Sequence, residues 1–169
     1  MSMIDTLLQE LEAEARTTRR VLARVPENQL AWRPHPTART LGELALHIAT
    51  VPGAVAYLAM SPSPSPAPDF TNPDPAPKSA SELIPALDQS IATAKEVLGH
   101  VADDTLATTL RLTAGEREVF AVERGALLRS VMLNHWYHHR GQLTVYLRQL
   151  GVPVPAIYGA SADENPFTE

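Results

Sequence analysis

Closely spaced proline is the strongest local constraint in this chain. Residues 61–77 (SPSPSPAPDFTNPDPAP) carry seven of its fifteen prolines. Each proline fixes φ, lacks an amide hydrogen and restricts the residue before it, so helix and central strand are precluded here. An extended, polyproline-like surface loop is expected, either a plain connector or a Pro-rich ligand for a partner domain. The connector is the simpler reading. Whatever regular structure the chain forms must lie on either side of this segment.

Both flanks carry a helical period. Over about residues 2–25, Ile4, Leu7, Leu8, Leu11, Ala15, Leu22 and Val25 fall on one stripe that Pro26 ends. A second helix is expected over about 40–60, opened by the capping box Thr40/Glu43. A third is expected over about 81–101, with Leu83, Leu87, Ile91, Ala94 and Leu98 at helical spacing and a second capping box at Ser79/Glu82. The fourth runs over about 122–150 and stops at Gly151, with Pro153 beyond. Between the last two, Leu106, Thr108, Leu110 and Leu112 alternate ahead of Gly115 and Val119-Phe120, which reads as a short hairpin. The expected fold is all-α: a four-helix bundle, with a long Pro-rich loop between helices 2 and 3 and a hairpin before helix 4. A chain of 169 residues suits one domain, here residues 1–169.

Composition narrows the chemistry. The absence of cysteine excludes disulfides, thiolate-ligated metal and a cysteine nucleophile. A net charge of −5 without a basic run argues against nucleic acid as a partner. The first fifteen residues are acidic and amphipathic, unlike a secretory leader, so a cytoplasmic location is expected. The apolar run of residues 44–60 contains His47 and Pro52-Gly53 and reads as a core helix rather than a membrane span. No nucleophile elbow, Gly-rich phosphate loop or H-E-x-x-H zincin motif is present.

Six histidines remain, and residues 134–142 (NHWYHHRGQ) are the most informative stretch. His135 and His139 are spaced i, i+4, about 40° apart on a helix and one turn above the other. Projected at 100° per residue, they fall inside the apolar stripe of Leu128, Val131, Met132, Leu143, Tyr146 and Leu150, with Asn134 and Trp136 pointing away. His47 shares a stripe with Leu44, Val51, Ala54 and Leu58 on the second helix. A single inward histidine is as a rule a hydrogen-bonded core residue. Three from two helices match a catalytic-type metal site with an open position, and imidazole suits Zn, Ni, Fe or Mn. The metal ligands expected are therefore His47, His135 and His139.

Other residues leave alternatives open. Glu43 is a fourth ligand, an outer hydrogen-bond acceptor, a general base or simply a helix cap. His138 is either an outer hydrogen-bond partner of the site or lies at its rim. Gln142 projects inward and could orient a ligand imidazole or bind substrate. Arg140 binds an anionic group or makes a surface ion pair. Tyr146 either donates to a substrate oxygen or fills the core. His35 and His100 face solvent.

Several of these segments resemble the DinB family of damage-inducible-type proteins. The similarity lies in LGELALHIA (residues 41–49), Val25-Pro26-Glu27 with Trp32-Arg33-Pro34, the NHWYHHRGQL run, Tyr146-Leu147-Arg148, the Gly151–Pro155 segment and Ile157-Tyr158-Gly159. The resemblance implies a four-helix bundle holding a divalent metal through His47, His135 and His139, and a homodimer. Some members are thiol S-transferases that use bacillithiol or mycothiol as cosubstrate. It thus implies a metal-dependent transferase acting on a small molecule with a low-molecular-weight thiol. The alternatives are a hydrolase using metal-bound hydroxide and a non-catalytic, stress-linked metal-binding bundle.

Overall fold

The computed structural model describes residues 2–69 and 75–168. The fold is mostly helical, with a small three-stranded sheet. Its long helices are α1 (Met3–Leu22), α2 (Leu41–Ala59), α3 (Leu83–Leu98) and α6 (His135–Gln149). Two single-turn helices, α4 (Asp103–Leu106) and α5 (Arg124–Leu127), flank the hairpin of β2 (Thr109–Ala114) and β3 (Arg117–Glu123). A π-helical segment, Leu128–Asn134, joins α5 to α6 without a break. Helix α2 packs on α3 and α6, and α1 packs on the same two helices. The stripes of α1 and α3 face this interior, with Leu11, Leu83, Leu87, Ala94 and Leu98 fully buried.

Helix ends follow local chemistry, with two departures from the sequence reading. Thr40 and Glu43 form the expected reciprocal capping box. Gly151, at φ +72°, closes α6 in a Schellman motif, with Val152 N–H on Leu147 O and Gly151 N–H on Arg148 O. The Ser79/Glu82 box does not form: the Ser79 hydroxyl pairs with that of Ser81, and a 3₁₀ turn over Ala80–Glu82 leads into α3. The fourth helical stretch begins at Arg124, because Val122 is still paired with Leu110 in the hairpin.

The proline-rich segment is more than a loop. Ser65–Pro66 forms a short strand, β1, parallel to β2, in a sheet ordered β1-β2-β3. An edge position is the place where a sheet tolerates proline. Ala67 N–H donates to Thr113 O at 2.9 Å, and Ser63 Oγ links Arg111 N–H and Thr109 O. Residues 70–74 of the segment lie outside the described residues. The expected hairpin is present, with a two-residue loop whose first residue, Gly115, has φ +62°, the sign a type II′ turn requires.

Helix α2 continues through Pro52. By length and composition it could cross a membrane, yet most of it is buried within the protein. Proline has no N–H, so the carbonyl four residues back, Ile48 O, loses its intrahelical donor. The indole Nε1–H of Trp136 on α6 supplies that donor at 2.8 Å, with the ring fully buried. The next turn is tied to α3: Gly53 N–H donates to Ser90 Oγ at 2.8 Å, and Ser90 Oγ–H donates to Thr50 O. A Cβ at residue 53 would stand 2.8 Å from Ser90 O, so only glycine permits this approach.

Trp136→Phe should therefore destabilise the protein by about 1–3 kcal/mol through the stranded Ile48 carbonyl, beyond the effect of lost ring volume. In a Pro52→Ala background residue 52 regains an N–H for that carbonyl. Urea unfolding of the four proteins should give a coupling energy of about 1 kcal/mol. Strict additivity would mean that the indole bond contributes nothing.

Candidate metal centre

The bond from the Trp136 indole to the Ile48 carbonyl sets α2 against the start of α6 at the level of the three histidines. His47 lies one residue before Ile48, and His135 one residue before Trp136. His139 follows one turn later. The ring centroids are 4.3 Å apart for His135 and His139, 4.7 Å for His47 and His139, and 5.3 Å for His47 and His135, each pair nearly perpendicular. One ring nitrogen from each comes within 4.8 Å of the other two, an arrangement that could hold a metal ion. The donor set fits a d-block cation, which imidazole nitrogens suit.

Protonation is set by the surroundings. His139 is buried, and burial pushes its imidazole down to about 4. Its bond to Gln142 works in the opposite direction, and charge on His135 and His47 adds to the lowering. The ring is therefore neutral near pH 7. Gln142 Oε1 lies 2.7 Å from His139 Nδ1 and accepts its proton, which leaves the Nε2 lone pair pointing into the triad. His139 Nε2 stands 2.8 Å from His135 Nε2, so the proton between them is carried by His135. These two rings, whose nitrogens share one proton here, belong with His47 to the cluster that could hold a cation.

The remaining sequence candidates separate clearly. Glu43 Oε2 accepts from Thr40 N–H at 2.7 Å; its carboxylate serves the helix cap and is not among the clustered donors. His138 is exposed, its ring 5.1 Å from that of His139. Tyr146 donates to Arg39 O at 3.4 Å and meets the Trp32 ring edge-on, so it seals the end of α2. His35 and His100 are exposed, as expected.

Arg140 requires a correction. It is 2% exposed and forms no surface pair. Its guanidinium meets Glu14 at 2.6 Å and Thr18 Oγ1 at 3.1 Å, donates to Tyr158 OH, and sits 5.2 Å from the Tyr137 and Tyr158 ring centroids. Its partners come from α1 and from the C-terminal segment, which a helical projection cannot display. Trp136 likewise points away from the histidine stripe, yet into the core. The projection also drifts before His135, because the π turn over Leu128–Asn134 advances fewer degrees per residue than an α turn.

The stripes bearing the histidines are not simply core. A cleft of about 380 Å³ runs along them, lined by His47, His135, Val51, Ala54, Val55, Leu58 and Val131, with Arg39, Thr50, Pro68 and Asp69. Arg39 and Asp69 carried no sequence signal, since neither lies on a periodic stripe with the histidines.

A family model described as the DinB family matches residues 1–166. The chain belongs to the DinB family. It is 29% identical over 162 residues to the uncharacterized protein YrdA of Bacillus subtilis (strain 168), covering 95% of this chain and 91% of that one. A crystal structure of a DinB-like protein from Bacillus cereus ATCC 10987 superposes with a TM-score of 0.68 at 27% identity, over 91% of this chain and 97% of the other. The DinB-like protein YjoA of Bacillus subtilis shares the fold, with a TM-score of 0.64 at 21% identity over 88% and 96% of the two chains.

The His139 environment predicts a pH dependence of this DinB protein. The unfolded imidazole takes a proton near 6.5, whereas the folded one resists until about 4. Stability of metal-free protein is then fully present above about pH 6.5 and falls as the pH drops toward about 4, because the unfolded state binds the extra proton. Urea unfolding across this range should show a steeper decline for wild type than for His139→Gln. Parallel slopes would show that His139 is not held neutral by burial.

Proposed function

We propose that His47, His135 and His139 hold one divalent d-block cation and that this DinB protein is a thiol-dependent S-transferase. The observation that carries the reading is the convergence of three imidazoles from two helices, two of which, His47 and His135, line a cleft. A cation bound there would supply Lewis acidity, favouring a coordinated thiol as its thiolate near neutral pH.

The chain's own groups are suited to that role. Burial keeps His139 unprotonated, and Gln142 holds its Nδ1 proton so that Nε2 faces the other two rings. Glu43 is engaged in the helix cap, which leaves three clustered donors among the described residues, with His47 and His135 on the cleft, the pattern of a catalytic rather than a closed structural site. With no cysteine in the chain, the attacking sulfur has to come from a cosubstrate. A small electrophile, rather than a nucleic acid, suits a net charge of −5 and a largely apolar cleft. The four long helices, packed α1 and α2 against α3 and α6, support reading the scaffold as a four-helix bundle.

Elemental analysis of protein purified without a His tag should find roughly one equivalent of Zn, Ni, Fe or Mn per chain, absent from a His135→Ala/His139→Ala double variant. Loaded wild type should consume an electrophile only when a low-molecular-weight thiol is added. Turnover without thiol would replace the transferase by a hydrolase. Protein that binds no cation, even after loading, would remove the metal reading altogether.

A further inference from the structure

His47, Val51, Ala54, Val55 and Leu58 stand at i, i+4, i+7, i+8 and i+11 on α2, and all line the same cleft. At 1.5 Å per residue, Leu58 lies about 16 Å along the helix from His47. The cleft is thus a groove with its imidazoles toward one end and an apolar floor running away from them. Val131 of the π-helical segment and Pro68 add apolar wall. The Pro68 wall is anchored, because the preceding residues pair with β2 through Ala67 N–H and the Ser63 hydroxyl.

This stripe looks like core in sequence, yet Ala54 is exposed and Leu58 only half-buried. Its apolar surface stays partly hydrated, so a ligand laid along it gains by removing that water. A compact polar ligand would touch the histidine end alone and leave the floor wet. An elongated apolar one would cover both.

We propose that this groove binds the linear alkyl or acyl chain of the substrate, with the substrate's reactive head group at His47, His135 and His139. The proposal rests on the metal-site reading for the role of the head group, but the groove itself is formed without it. Ala54, midway along the floor, sets the chain length accepted.

The test is a calorimetric titration of the full chain with butanoate, hexanoate, octanoate and decanoate, each below its micelle concentration, in metal-free and zinc-loaded protein. Affinity should rise about fourfold per added methylene in both forms until the groove is filled. Methyl NMR should show Val51, Val55, Leu58 and Val131 shifting with the longer chains. Ala54→Phe, at an exposed position, should halt the rise beyond hexanoate while butanoate binds as in wild type; Ala54→Leu should do so partially if the larger ring impairs folding. Affinity independent of chain length, or a rise that both variants leave intact, would overturn the proposal. A rise with chain length to which zinc adds no affinity would support the groove and count against the metal reading alone.

Discussion

The carbonyl of Ile48 is the point on which the arrangement of this DinB protein turns. Pro52 removes the backbone donor that would have satisfied it, and a buried carbonyl left alone is a liability of about 1–3 kcal/mol. The Trp136 indole resolves this by reaching from α6 into α2. His47 and His135 are each adjacent in sequence to one end of that bond. The same contact that repairs a helix therefore brings the two histidine-bearing helices together in a defined register. Gly53 and Ser90 perform a parallel task on the opposite side, holding α3 close enough for the hydroxyl to enter the backbone ladder of α2.

Beyond that clasp, buried charge secures the helices that carry the site. Arg140 lies between two tyrosine rings and against Glu14, joining α6 to α1 and to the C-terminal segment. Arg124 does comparable work at the end of α2: it donates to the carbonyls of Ala59 and Ser61 and to Thr108 Oγ1, so the last turn of that helix is capped by a cation from beside the hairpin. At the surface, the exposed Asp103 carboxylate caps α1, accepting from the backbone N–H groups of Met3 and Ile4. Each of these groups is charged and each finds its partner in a different element, so each fixes orientation as well as proximity.

At the triad, burial and hydrogen bonding divide the work. Desolvation holds His139 neutral, and the Gln142 carbonyl selects which nitrogen keeps the proton. The result is three imidazole rings brought together from two helices, beside a groove whose floor is apolar. The proline-rich segment contributes to that groove because its first part is stitched onto β2 as an edge strand.

Much of this was legible in the chain alone. The i, i+4 pair His135/His139, the inward phase of His47, the Thr40/Glu43 cap and the stop at Gly151 are local properties, set by helical geometry and by glycine's access to positive φ. What only the tertiary structure decided is what each face meets. Periodicity reports that one side of α2 is apolar, but not that part of it forms an open groove instead of core. It reports that Arg140 and Trp136 lie off the histidine stripe, but not that α1 and α2 bury them there. The π turn before His135 further uncouples residue count from angle. Partners distant in sequence supply those contacts, and local spacing holds no information about which of them will arrive.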